Sequence, residues 1–174
     1  VNKNYFKGGI IMRKGFLILN GDSTAKNLLQ DKLKENYWIW NVSTLNHLRH
    51  NATALGWDFT NDGIADEFIG KLLDLSNEYL DYEYEYVVKF MNKIMESNKA
   101  KENGKRGDLL IAHVGADLSN RLQDEFDFYV INVTMEECIE NNFMNGRFYV
   151  GMGSSEEVVD NSIEQILNII CTNN

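Results

Sequence analysis

Gly15-Phe16-Leu17-Ile18-Leu19-Asn20-Gly21-Asp22-Ser23-Thr24-Ala25-Lys26-Asn27 is the stretch from which the fold is read. Its first five residues are a short, continuous apolar run ending on Asn-Gly, the pattern of a strand buried on both faces. Asp22, Ser23 and Thr24 offer side-chain oxygens that can cap a helix. Leu28, Leu29 and Leu33 follow at helical spacing, so a helix is expected to run to about Lys34. A strand, a tight turn and a helix in immediate succession aim backbone N–H groups and the positive end of a helix at one point, which suits an anion.

Outward from this unit, apolar runs at residues 37–42, 109–114, 128–133 and 148–150 read as four further strands. Helical periodicity lies between them. Leu45, Leu48, Ala52 and Leu55 follow a Ser43 cap and precede Gly56; Phe68, Ile69, Leu72, Leu73 and Leu75 share a face; Val87, Val88, Met91, Ile94 and Met95 belong to a helix expected to begin near Tyr84. Residues 118–126 connect the third and fourth strands. A Ser154/Glu157 capping box opens a last helix carrying Val158, Ile163, Ile166, Leu167 and Ile170. Residues 97–108 read as a loop and Gly151-Met152-Gly153 as a turn. Alternating strands and helices predict a three-layer α/β/α domain with a mostly parallel five-stranded sheet. One such domain accounts for all 174 residues, with no repeat or linker. Lys7-Gly8-Gly9 can be encoded by a ribosome-binding sequence, so residues 1–11 are expected to lie upstream of a natural start at Met12.

The chain carries 17 basic and 26 acidic residues, a net charge of −9. Such a balance repels a nucleic-acid backbone, and no nucleic-acid polymer is expected as a partner. A local basic pocket for one phosphate is still allowed, because it depends on neighbours within a Debye length. No apolar run reaches the roughly 18 residues of a membrane span, and Cys138 and Cys171 lack disulfide or zinc spacing. A cytoplasmic location without membrane contact is expected, with a homodimer one allowed form.

Laid on the phosphate-binding pattern G-x-x-x-x-G-K-[ST], Asn20 takes the place of the first glycine, Ala25 that of the second, Lys26 the lysine and Asn27 the hydroxyl residue. The phosphates of a nucleotide would lie against Gly21, Asp22, Ser23, Thr24, Ala25, Lys26 and Asn27. Ala25 adds a Cβ where backbone ordinarily approaches phosphate, and Asp22 brings a carboxylate near the anion. Asn27 can orient a magnesium-bound water but lacks the usual hydroxyl ligand.

The order of these pieces resembles the phage-type deoxynucleoside monophosphate kinases over most of residues 12–170. The resemblance rests on this degenerate phosphate loop, on Leu55-Gly56-Trp57-Asp58, on Lys71-Leu72-Leu73-Asp74-Leu75 leading into residues 84–95, on the strand and loop at 109–120, and on the capped terminal helix. It implies a P-loop kinase fold, ATP with magnesium as cofactor, and transfer of the γ-phosphate to a deoxynucleoside monophosphate. In the same terms, Asn46-His47-Leu48-Arg49 stands where the family shows Asp-Pro-Leu-Lys, so Arg49 would contact the acceptor phosphate together with Lys71. His113-Val114-Gly115 replaces the family's Asp-x-Arg and puts His113 beside the substrate. Lys26 and Arg49 are then the catalytic cations and adenine would lie near residues 152–154. Loss of the glycines and of the Asp-x-Arg cation predicts nucleotide binding with crippled turnover, since one such cation is worth about 10³-fold or more. The alternative is a non-catalytic kinase-like protein acting through a protein partner or another small ligand.

Other candidates have plainer readings. His47, His50 and His113 lack an acidic or cysteine partner at metal-site spacing, so no metal site is expected. Asp117, Asp124 and Glu125 read as a solvated run, and Lys105, Arg106 and Arg147 as loop charges, Arg147 where kinases keep a basic lid. Tyr79, Tyr82, Tyr84 and Tyr86 could stack a base but more simply anchor a helix.

Overall fold

A computed structural model describes residues 5–7, 10–43, 76–140 and 142–172. Among these residues the strands are β1 (Tyr5–Lys7), β2 (Ile10–Gly21), β3 (Tyr37–Ser43), β4 (Gly107–His113), β5 (Tyr129–Thr134), β6 (Phe143–Met144) and β7 (Arg147–Gly151). The helices are α1 (Ser23–Asn36), α2 (Ser76–Glu96), α3 (Lys99–Glu102), α4 (Ala116–Glu125) and α5 (Glu156–Thr172). The strand order is β3-β4-β2-β5-β7-β6, with β1 paired to the start of β2. The five expected strands are the five parallel ones, and β1 and β6 add antiparallel pieces at β2 and at the β7 edge. The helices expected over residues 45–55 and 64–75 lie outside the described residues.

Strand alternation sorts the core into two layers. Leu17 and Leu19 of β2, Leu109 and Ile111 of β4, and Ile131 and Val133 of β5 pack under α1 and α5. Phe16, Ile18, Leu110, Ala112 and Val130 face α2 and α4 on the other side. Gly15 lets β2 and α5 approach closely, for an added Cβ would lie 3.0 Å from Ile170 and 3.1 Å from the Cys171 sulfur.

Three boundaries differ from the sequence reading. The acid–tyrosine alternation of residues 81–86 hides a helical stripe of Leu80, Tyr84, Val87, Met91 and Ile94, so α2 already includes Ser76, well before Tyr84. Residues 97–108 are not all loop: they hold α3 and the start of β4. The Ser154/Glu157 capping box does not form. The Ser154 hydroxyl accepts from the Cys138 N–H, and Ser155 Oγ, one residue later, accepts from Val158 N at 3.5 Å. At the far edge Asn145 (φ 55°) and Gly146 (φ 75°) turn β6 back onto β7 as a two-residue hairpin loop.

Burial raises the Cys171 thiol from an ordinary 9.0 to about 12, and burial raises the Tyr37 phenol as well. The Tyr37 hydroxyl is buried without a hydrogen-bond partner. A raised folded-state value means that the native protein keeps a proton the unfolded chain has released. The associated stability is complete below pH 9.0 and is lost as the pH climbs toward 12. We expect Cys171 alone to lower the unfolding free energy by about 2 kcal/mol by about pH 10.5. Urea unfolding across that range should be visibly flatter for Cys171→Ala; an equal slope would show that the thiol does not carry the effect.

Candidate functional site

The chain leaves β2 toward β3 through α1 on one face of the sheet, and leaves β4 toward β5 through α4 on the other. Neighbouring strands whose connections depart to opposite faces open a crevice at their carboxyl ends, where ligands of open α/β sheets bind. The residues at this edge are Asn20 and Gly21 at the end of β2 with Asp22 beyond it, His113 at the end of β4 with Gly115 beyond it, and Asn41 and Ser43 on β3.

The turn after β2 is tighter than the sequence pattern suggests. Asn20 and Gly21 are still strand, paired with Asn132 and Val133 of β5. Asp22 alone separates them from α1, which already contains Ser23, Thr24 and Ala25. The open loop expected over these positions is therefore a one-residue cap. Asp22 Oδ1 accepts from Ala25 N at 3.1 Å, and Asp22 O accepts from Lys26 N at 2.9 Å. The first helical N–H groups, at Ser23 and Thr24, have no intrahelical acceptor. Ala25 stands where a glycine would meet phosphate, but its methyl is fully buried in the core beside Leu29. Asn27 is exposed and Lys26 half-buried.

A carboxylate at the start of α1 satisfies one orphan donor and repels a second anion. We therefore expect Asp22→Asn to keep the cap and to strengthen binding of inorganic phosphate several-fold. Asp22→Ala should instead lower stability by about 1 kcal/mol. Thermal unfolding and calorimetric phosphate titration separate the two effects, and unchanged phosphate affinity in Asp22→Asn would count against an anion site here.

Lys26, near the start of α1, and His113, the last residue of β4, lie on elements that meet this edge. Burial and then the nearby Lys26 ammonium hold the His113 imidazole below its ordinary 6.5. A nitrogen of the ring, Nε2, lies 3.1 Å from Asn41 Oδ1. Asn41 was not singled out from sequence. Its signal was available, as the one exposed polar residue in the apolar run Tyr37-Trp38-Ile39-Trp40-Asn41-Val42 near the carboxyl end of a strand. Arg49 and Lys71, as well as His47 and His50, lie outside the described residues.

The remaining candidates are engaged elsewhere. Lys105 Nζ donates to Lys34 O (2.8 Å) and Glu35 O (3.1 Å) at the end of α1, and Arg106 pairs with Glu164 at 3.4 Å. The Tyr84 hydroxyl donates to Glu125, and the Arg121 guanidinium lies 3.7 Å above the Tyr84 ring. Tyr82 is exposed, Tyr86 meets the Phe90 ring edge-on, and nothing is described of the Tyr79 side chain. Arg147 is part of β7. Around residues 152–154, Met152 N and Gly153 N donate to Thr134 O and Glu136 O, both at 2.8 Å. A Cβ on Gly153 would lie 2.3 Å from Met135 O. The chain's own 134–138 loop thus covers the backbone expected near adenine. Among the described residues no three His, Cys, Asp or Glu side chains gather as a metal site, and no helix is long and apolar enough to cross a membrane.

No protein-family model, curated protein or solved structure matches this chain.

Proposed function

We propose that the protein binds a small phosphorylated ligand, with nucleotides the first class to test, at the carboxyl edge of its sheet. We read it as a relative of the deoxynucleoside monophosphate kinases in which binding outlasts efficient phosphoryl transfer. The observation that carries this reading is that α1, with Lys26 near its start, opens at the crevice where the connections of β2 and β4 diverge, at the same edge as the strand end that carries His113. Lys26 supplies fixed positive charge, His113 and Asn41 supply hydrogen-bonding groups, and the Ser23 and Thr24 N–H groups add the helix end.

The same residues disfavour turnover. Phosphoryl transfer depends on cradling the β- and γ-phosphates and on countering charge at the transition state. The one-residue cap leaves no wrapped loop for the first task, and His113-Val114-Gly115 holds no guanidinium for the second. Among the described residues the donor set does not fit a protein-held magnesium, since Asn27 replaces the hydroxyl and no acidic cluster adjoins it there.

Calorimetric titration with ATP and with the four deoxynucleoside monophosphates, with and without magnesium, tests the reading. Saturable binding that falls at least tenfold in Lys26→Ala is expected, with no phosphorylated product above that variant's background. Failure of every nucleotide to bind would discard it, and robust Lys26-dependent product would restore the kinase.

A further inference from the structure

The far end of α1 meets the start of two strands. Tyr37 opens β3 and caps α1, its N–H donating to Leu33 O, and Arg106 precedes β4, its N–H donating to Asn36 O at 2.6 Å. Lys105 Nζ donates to the carbonyls of Lys34 and Glu35. The last carbonyls of α1 are thus satisfied within the chain, which holds this corner in place. It lies at the amino edge of the sheet, at the opposite end from the crevice described above.

Between this corner and α5 is a cavity of about 190 Å³, the room of about six waters. Leu33, Ile163 and Leu167 give it an apolar side. Two ion pairs join its walls: Lys32 Nζ lies 2.9 Å from Asp160 Oδ1, and Arg106 Nη1 lies 3.4 Å from Glu164 Oε1. Asp160 and Glu164 are one turn apart on α5, about 6 Å along its axis. The second pair is long and half-exposed, and such a pair holds weakly. Glu164 engages only Nη1, so the rest of the guanidinium has no acceptor among the described residues. Tyr37 also lines the cavity; it is 2 % exposed and its hydroxyl has no partner.

Both unmet groups can donate, and the group that suits them is a carboxylate. A purely anionic ligand is poorly matched, because Lys32 and Arg106 face three carboxylates around the cavity, those of Glu35, Asp160 and Glu164. We propose that this cavity binds a short linear amino acid whose ammonium and carboxylate are separated by a methylene chain. The carboxylate accepts from Arg106 and from the Tyr37 hydroxyl, the chain lies on Leu33, Ile163 and Leu167, and the ammonium reaches Asp160 one helical turn away. Tyr37 has no hydrogen bond to give up as its ring turns to the ligand. The site is separate from the phosphate crevice and does not rest on it.

Calorimetry on the whole chain tests the proposal with γ-aminobutyrate and δ-aminovalerate as probes, and with butyrate and butylamine as ligands of one charge each. Saturable binding of either amino acid is expected, at least about tenfold tighter than that of butyrate or butylamine. Tyr37→Phe and Arg106→Gln should each weaken it about tenfold. Without ligand, Tyr37→Phe should melt no lower than the parent chain, because the hydroxyl it removes has no bond to lose. A lower melting temperature for that variant would show that the hydroxyl is already satisfied, and would overturn its role. No saturable binding of either amino acid, equal affinity for butyrate, or binding untouched in both variants overturns the proposal. None of these outcomes bears on the phosphate crevice, which Lys26→Ala tests separately.

Discussion

Replacing Lys14 with alanine is expected to lower the unfolding free energy by about 3–5 kcal/mol. Lys14 and Asp108 are each 2 % exposed and lie opposite one another where β2 meets β4, at the amino end of the sheet. The ammonium is 3.7 Å from Asp108 Oδ2, and it donates to Ser97 O at 2.7 Å and to Ile94 O. It thereby satisfies carbonyls at the end of α2, where a cation is also favoured by the helix dipole. Asp108 Oδ1 accepts from Trp40 Nε1 at 3.1 Å. Burial pushes the Lys14 value down and the Asp108 value up, and in both cases the partner opposes the push. Removing the lysine leaves a carboxylate with the burial penalty and less compensation. Exchanging both for apolar residues, Lys14→Met with Asp108→Leu, should recover part of the loss, because the two buried charges go together while Trp40 Nε1 and the Ile94 and Ser97 carbonyls lose these partners. Urea denaturation of the two single variants and the double one measures the cycle. A single-variant loss below about 1 kcal/mol would mean that water reaches the pair.

Gly21→Ala is the second large effect, with a loss of about 3 kcal/mol or more from backbone strain and overpacking together. Gly21 has φ +123°, a conformation side chains rarely adopt, and a Cβ there would lie 2.1 Å from Val133 O. The atom in the way is the backbone of β5, which cannot yield without parting the central strands. Gly115 gives the contrast: nothing lies within 4 Å of its added Cβ, so Gly115→Ala should stay within about 0.5 kcal/mol. Equal melting temperatures for the two variants would contradict this account.

Most of the architecture was legible because buried parallel strands write themselves as unbroken apolar runs. Leu17–Leu19 and Leu109–Ala112 needed no partner to be recognised, and Tyr129–Val133 is interrupted only at Asn132. Their order in the sheet was not legible, since it depends on which helices cover which face. The start of α2 was obscured because tyrosines and acids alternate where only every third or fourth residue packs. At the site, Lys26 after the first strand and His113 at the end of another were visible as residue types, yet that β2 and β4 end side by side depends on their pairing in register. Asn41 carried a signal, one polar residue in an apolar run, but that signal names no chemistry. The tightness of the turn was hidden for a different reason: the spelling of residues 20–27 allows a loop, and only the pairing of Asn20 and Gly21 with β5 shows that the strand runs through it.

The two-residue β6 has a bearing on behaviour at high concentration. A passing chain that tried to extend the sheet along that flank would find only the rungs of Phe143 and Met144 before the backbone swings away through Asn145 and Gly146. So short a template gives cross-strand growth little to seed on, despite the greasy side chains it displays.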